Sequence, residues 1–275
     1  MTIDPARIEG INRHETEFLY EEIFRRRTYL PEGLSLPPGA VVFDVGANIG
    51  VYSLFVHTVS PGARVYAFEP LPPVFAKLAA NLARHGVDGT ALPHGLSDVD
   101  GECEFTYYPG YTTMSARADY ADTVAEKEFV KQQVLVDGAP EVREYVDELL
   151  DVRFRETAHR CRLRRLSSVL DELDVPRIDM LKIDVQRAEL DVLRGIEDRH
   201  WPLVGQVVLE VHDQPGTATE GRVALVGGLL ADQGLTVTVQ QEDRLTGTDR
   251  YTLFAVRTTD RPGGQSSSGA PVRMA

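Results

Sequence analysis

Val41-Val42-Phe43-Asp44-Val45-Gly46-Ala47-Asn48-Ile49-Gly50 is the stretch on which the fold turns. An apolar strand opens it, a glycine-bearing loop follows, and an apolar helix runs from Val51 to Val59 until Ser60-Pro61-Gly62 stops it. Gly46 and Gly50 permit a tight turn and close approach of backbone to a ligand, so the loop is a nucleotide-cofactor signal. Downstream, Arg64 to Phe68 reads as a second strand, Val74 to Arg84 as a second helix and Thr90 to Leu96 as a third strand. The pattern returns later, with strands at Ile178 to Ile183 and Gln206 to Val211 and helices at Ala188 to Arg194 and Arg222 to Ala231. Strands alternating with helices at this spacing predict βαβ units and a parallel sheet. Leu235 to Gln240 and Tyr251 to Val256, joined by the polar Glu242 to Asp249, predict a terminal antiparallel hairpin.

Two segments stand outside this repeat. Asn12 to Arg27 reads as a helix with acids at its start and arginines at its end, which suits the helix dipole. It is either a lid over the ligand site or a plain packing helix. After a strand at Glu102 to Tyr108, stopped by Pro109-Gly110, the charged, helix-prone Ala121 to Arg155 is too long for a crossover loop. It reads as an inserted cap, within about residues 107–160. Cys161 to Leu166 resumes strand-like alternation. The expected division is therefore a helical lid at 1–39, a main domain at 40–257 and a disordered Gly/Ser/Pro-rich tail at 258–275.

Composition narrows the partners. The net charge of −13, from 29 basic and 42 acidic residues, argues against nucleic acid and against an anionic membrane surface. Cys103 and Cys161 lack metal-ligand or CxxC spacing and read as reduced thiols in a cytoplasmic protein. The start of the chain has no signal-peptide pattern, and no apolar run reaches the length of a membrane span.

Charge and spacing then choose between two cofactors. A dinucleotide loop counted from Gly46 needs glycine at 48 and 51, where this chain has Asn48 and Val51. Asp44 would repel a pyrophosphate on the helix N-terminus but suits the ammonium and sulfonium of S-adenosylmethionine. Glu69 ends the second strand, where a carboxylate can accept both ribose hydroxyls; a solvated strand-end acid is the alternative. Leu96, Ser97 and Asp98 end the third strand, placing them either beside the adenine or in an ordinary turn. The expected cofactor-binding set is Asp44, Gly46, Asn48, Gly50, Glu69, Leu96, Ser97 and Asp98.

These residues resemble a known family. Val42 to Gly50, Ala67-Phe68-Glu69-Pro70 and Leu181-Lys182-Ile183-Asp184-Val185-Gln186-Arg187-Ala188-Glu189 look like the FkbM family of methyltransferases. His14-Glu15-Thr16-Glu17-Phe18-Leu19-Tyr20, Thr113-Met114-Ser115 and Leu209-Glu210-Val211-His212 resemble its branch beside or inside nonribosomal peptide and polyketide synthases. The resemblance covers about residues 12–257. It implies an α/β, Rossmann-like class I methyltransferase fold with a mostly parallel seven-stranded sheet, and O-methylation of a small molecule or sugar. The acceptor, free or carrier-bound, is not legible, and a homodimer is left open.

Methyl transfer to an alcohol needs alignment, exclusion of water and a proton acceptor. Candidates belong at the carboxyl ends of the fourth and fifth strands of the repeat. Asp184 ends the fourth, as a catalytic group or as a helix cap. His212 ends the fifth, where neutral imidazole is a natural base and Glu210, two residues back, could orient it. Asp184 and Glu210 alone make a poor cation site, so no metal is expected. Tyr107, Tyr108, Tyr111, Met114 and Tyr120 suit an apolar acceptor pocket or ordinary packing, and Arg160, Arg162, Arg164 and Arg165 an anionic carrier or a solvated face. N- or C-methylation, a nicotinamide-dependent oxidoreductase and a non-catalytic S-adenosylmethionine-binding partner are the competing readings.

Overall fold

The computed structural model describes residues 3–137 and 145–257. Helix α1 (Arg13–Tyr20) continues into a π-helical turn, Glu21–Arg25, and the chain then enters β1 (Val41–Val45), α2 (Val51–Val59), β2 (Arg64–Phe68) and α3 (Pro72–His85). Next come β3 (Gly89–Leu92), β4 (Gly95–Leu96), β5 (Gly101–Tyr107), β6 (Ala116–Arg117), α4 (Thr123–Asp137) and α5 (Val146–Arg153). The remainder is β7 (Thr157–Arg164), α6 (Leu166–Leu173), β8 (Met180–Ile183), α7 (Glu189–Arg194), β9 (Gln206–His212), α8 (Arg222–Asp232), β10 (Leu235–Gln240) and β11 (Arg250–Arg257).

Seven strands form one sheet in the order β3-β2-β1-β8-β9-β11-β10. It is parallel from β3 to β9, while β11 runs antiparallel between β9 and β10. This is the class I methyltransferase sheet with its reversed terminal hairpin. The inner strands β2, β1, β8 and β9 are largely apolar because both their faces are covered, with Asp44, Lys182, Glu210 and His212 as the exceptions toward their carboxyl ends. Side chains alternate across the pleat. Val42 and Met180 pack into the core beneath α2 and α3, whereas Phe43 and Leu181 pack into the core that takes Leu170, Leu193 and Leu230 from α6, α7 and α8.

The third strand departs from the sequence reading. Thr90 to Leu96 is not continuous, because Pro93 has no N–H for a ladder and His94 N bonds back to Leu92 O at 2.9 Å. Beyond that turn Gly95–Leu96 leaves the main sheet and pairs with β7. A second sheet, β4-β7-β5-β6, results. It sets Cys103 and Cys161 opposite each other as free thiols. Helix α6 was also absent from the sequence reading.

The cap consists of α4 and α5 among the described residues. Asp122 caps α4 by accepting from Ala125 N at 3.0 Å. A small core of Tyr108, Val130, Val146, Leu150 and Phe154 holds the pair together. Buried Glu126 then ties the cap to the sheet by pairing with Arg187 and with Arg250, the latter at 2.7 Å. The expected tail at 258–275, and residues 138–144 of the expected cap, lie outside the described residues.

Candidate active site

A cavity of about 540 Å3 opens over the carboxyl ends of the strands. Its floor is the Gly46-Ala47-Asn48 loop, with Glu69, Lys182, Asp184 and Glu210 on its walls. Phe18, Leu19 and Ile23 from the N-terminal helical unit, and Met114, Phe129 and Val134 from the cap side, close the other end with apolar surface. The volume and the mixture of apolar walls with a few convergent polar groups suit a small-molecule site.

The loop is shaped for close approach. Gly46 has φ +73° and is so near β8 that a Cβ would overlap the Asp184 carbonyl oxygen. Asn48 also sits at positive φ, +48°, a conformation Asn tolerates better than other residues with side chains. Its N–H donates to Glu69 Oε2 at 3.1 Å, and Glu69 Oε1 accepts from Leu71 N at 3.0 Å. Burial pushes the Glu69 carboxyl up to about 7. Gly50 acts on loop shape rather than on the wall: it starts α2 at φ +87° and packs on Leu78 of α3. On the expectation that this loop holds the donor, Gly46→Ala should cost donor affinity at least tenfold, since strain at positive φ adds to a clash with backbone. Calorimetric titration with S-adenosylhomocysteine measures this; unchanged affinity would mean that the loop moves off Asp184 without penalty.

Asp44 is placed differently from the sequence expectation. It is fully buried beneath the loop and is not on the cavity wall. Ser53 Oγ donates to its Oδ2 at 2.7 Å, and Lys182 Nζ, its register neighbour on β8, lies 3.2 Å from Oδ1. The same ammonium donates to Gly46 O at 2.8 Å and lies 3.7 Å from Asp184. Removing one partner of a buried pair costs roughly 3–5 kcal/mol, so Asp44 is held by Lys182 and shapes the site through it. Lys182 was missed as a site residue. Its signals in the sequence were a lysine inside a buried apolar strand and its place in the Leu181-to-Glu189 segment that carries the family resemblance.

The third-strand residues divide. Leu96 lines the cavity. Ser97 is buried off the wall, where its Oγ accepts from Arg117 Nη1 at 3.2 Å and donates to Asp98 Oδ1 at 3.1 Å. Asp98 is exposed. Neither Ser97 nor Asp98 lines the cavity.

Asp184 is on the wall, and Tyr29 Oη donates to its Oδ2 at 2.7 Å. Nothing local in the sequence marks Tyr29, which reaches the site from the chain just after the N-terminal helix. His212 does not reach the cavity. It is fully buried, its Nδ1 lies 2.7 Å from Glu189 Oε1, and burial together with the Arg250 and Arg187 charges pushes it down to about 3. A ring that cannot meet an acceptor, with a pKa so low, is a poor base. Glu210 stands in front of it, on the wall and 3.7 Å from His212 Nε2. Burial, reinforced by the charge of Asp184, raises Glu210 to about 8. The side chain that holds His212 is thus Glu189, and Glu210, expected to orient the ring, makes no hydrogen bond to it.

The basic run is mostly matched. Arg160 pairs with Glu102, Arg164 with Asp100 and Glu172, and Arg165 with Asp100 and Glu197. Among the described residues there is no group of three or more His, Cys, Asp or Glu able to hold a metal ion, and no helix long and apolar enough to cross a membrane.

A family model described as the methyltransferase FkbM domain matches residues 44–234. The 31-O-demethyl-FK506 methyltransferase FkbM of Streptomyces tacrolimicus is 42% identical over 255 residues, covering 92% of this chain and 94% of that one. Methyltransferase sdnD of Sordaria araneosa is 33% identical, with 91% and 93% covered. The AMB antimetabolite synthetase AmbE of Pseudomonas aeruginosa is 49% identical over 255 residues, which are 91% of this chain but only 12% of the synthetase. The chain belongs to the FkbM family of S-adenosylmethionine-dependent methyltransferases.

Proposed function

We propose that the chain methylates a hydroxyl of a small natural-product acceptor. The observation that carries this reading is the convergence of Asp184, Tyr29 and Glu210 on one wall of the cavity, beside the glycine loop. An attacking alcohol must lose its proton, and the half-buried carboxylates at that wall can take it. The name of the Streptomyces relative, a 31-O-demethyl-FK506 methyltransferase, describes the same kind of reaction on its own substrate.

S-adenosylmethionine supplies the electrophilic methyl group when bound. In this reading the Gly46–Asn48 backbone lies against it, Glu69 takes its ribose hydroxyls, and Leu96 contributes wall beside the adenine. The Glu69 oxygens each hold one backbone N–H and keep lone pairs for further donors. Tyr29 orients Asp184, Asp184 orients the acceptor hydroxyl, and Glu210 takes the proton. The lid and cap exclude water from the apolar end. Gly50 and Asp44 act at one remove, on loop shape and on Lys182.

The acceptor is free or tethered to a carrier. The tethered form is the second reading, favoured by the match inside a synthetase. Donor carrying a carbon-13 methyl group, with carbon NMR of the product, separates O- from N- and C-methylation. A methoxy product is expected; an N- or C-methyl product would overturn the hydroxyl assignment.

A further inference from the structure

The N-terminal helix is fastened to the cavity by two buried acids, and one of them leads into the cofactor loop. Glu15 and Glu22 are seven residues apart, two turns along the helical unit, and both are buried on its inner side. Glu22 pairs with Arg244 in the connector before β11. Glu15 does something more specific. Its Oε1 accepts from Thr113 N at 2.9 Å and Thr113 Oγ1 at 3.0 Å. Its Oε2 accepts from Thr112 Oγ1 at 2.9 Å and Asn12 Nδ2 at 3.1 Å. Thr112 Oγ1 in turn accepts from Asn48 Nδ2 at 2.9 Å. Asn48 N–H donates to Glu69. A single line of hydrogen bonds thus runs Glu69, Asn48, Thr112, Glu15, from the ribose-facing acid to the lid.

The direction of each bond is set. Asn48 Nδ2 can only donate, so Thr112 must use its one hydrogen toward the carboxylate. A carboxylate at position 15 therefore determines which way the Thr112 hydroxyl points, and the hydroxyl determines where the Asn48 amide sits. Asn48 needs that support because it is held at positive φ. An ordinary helix-start Glu would instead turn back to its own N-cap backbone. Here Asn12 caps α1 through Glu15 N, at 2.8 Å, and the Glu15 carboxylate is free to reach across to the turn.

We propose that Glu15 is a positioning residue for the methyl donor: acting through Thr112, it sets the Asn48 loop and couples closure of the N-terminal helix to occupancy of the donor site. The inference rests on the donor-site reading above. It also gives the His14-to-Tyr20 segment a physical role, with Glu15 on the Thr112–Thr113 turn and Phe18 and Leu19 on the apolar end of the cavity. Such coupling is reciprocal, so donor bound at the loop must in turn hold the helix down.

Two substitutions separate positioning from mere attachment. Thr112→Val removes the relay hydroxyl and leaves both Glu15–Thr113 bonds. Glu15→Gln can keep an oxygen toward Thr113 while presenting N–H to Thr112, where a donor already stands. Both should raise the dissociation constant for S-adenosylhomocysteine about tenfold, roughly the worth of one hydrogen bond to a charged group. The donor KM should move by more than kcat does. In the wild type, S-adenosylhomocysteine should slow amide hydrogen exchange in residues 13–25, and Thr112→Val should abolish that protection. Affinity within twofold of wild type in both variants, or protection of the helix that survives Thr112→Val, overturns the proposal. Glu69→Ala serves as the control: if it weakens binding while the two relay variants do not, only the relay is wrong, and if it too binds normally, the donor-site reading itself fails.

Discussion

Glu69→Ala should raise the dissociation constant for S-adenosylmethionine about 100-fold. Hydrogen bonds to a charged group contribute about 1.5–3 kcal/mol each, and two ribose hydroxyls on one carboxylate reach the roughly 2.8 kcal/mol that 100-fold requires. Gln keeps one acceptor oxygen and should lose less. The pH dependence is a second signature. Burial raises the Glu69 carboxyl to about 7, and the ionised form is the stronger acceptor. Donor affinity should improve as pH rises through about 7 in the wild type and stay flat in Glu69→Gln. Isothermal calorimetry at several pH values measures both effects, and a Glu69→Ala protein with wild-type affinity would remove Glu69 from the site.

Glu210→Gln should lower kcat by about 1,000-fold, within the range that a positioned base contributes. A base must be ionised to act, and burial with the charge of Asp184 raises Glu210 to about 8. Wild-type kcat should therefore climb as pH rises toward about 8 and level off above it, and the variant should lack that limb. A stability consequence has a definite sign. The folded-state pKa lies above the unfolded value near 4.5, so the stability contributed by Glu210 is fully present below about 4.5 and is lost as pH rises through about 8. Melting curves should show wild type losing ground to Glu210→Gln between those limits. Turnover within threefold of wild type would pass the proton to Asp184 instead.

The parts of the molecule legible in the sequence were those set by local pattern. Val41 to Val59 announced a strand, a tight loop and a helix because burial on both faces demands an unbroken apolar run and the turn demands glycine. The terminal hairpin was equally plain. What escaped were features decided by partners distant in sequence. Thr90 to Leu96 read as one strand, and the pairing of Gly95 and Leu96 with the distant β7 in a second sheet was not legible in it. His212 looked like a base because strand position says which end a residue occupies. It does not say that Glu189, 23 residues away, will hold the ring inside the protein. Asp44 looked free to meet a cation because the lysine that meets it stands on another strand. Tyr29, Thr112 and Glu15 came together only through the way the helix and the cap enclose one cavity.

In the proposed reading the donor half of the site rests on Gly46, Asn48, Glu69 and Leu96, and the acceptor half on Asp184, Tyr29 and Glu210. In that reading one cavity holds the methyl donor with its sulfur facing those three groups. A crystal structure with S-adenosylhomocysteine tests it most directly. The expected complex has both ribose hydroxyls on the Glu69 carboxylate, backbone of the Gly46 loop against the ligand, and the sulfur turned toward Asp184 and Glu210. A ligand whose ribose lies away from Glu69, or whose sulfur faces away from Asp184 and Glu210, would contradict it.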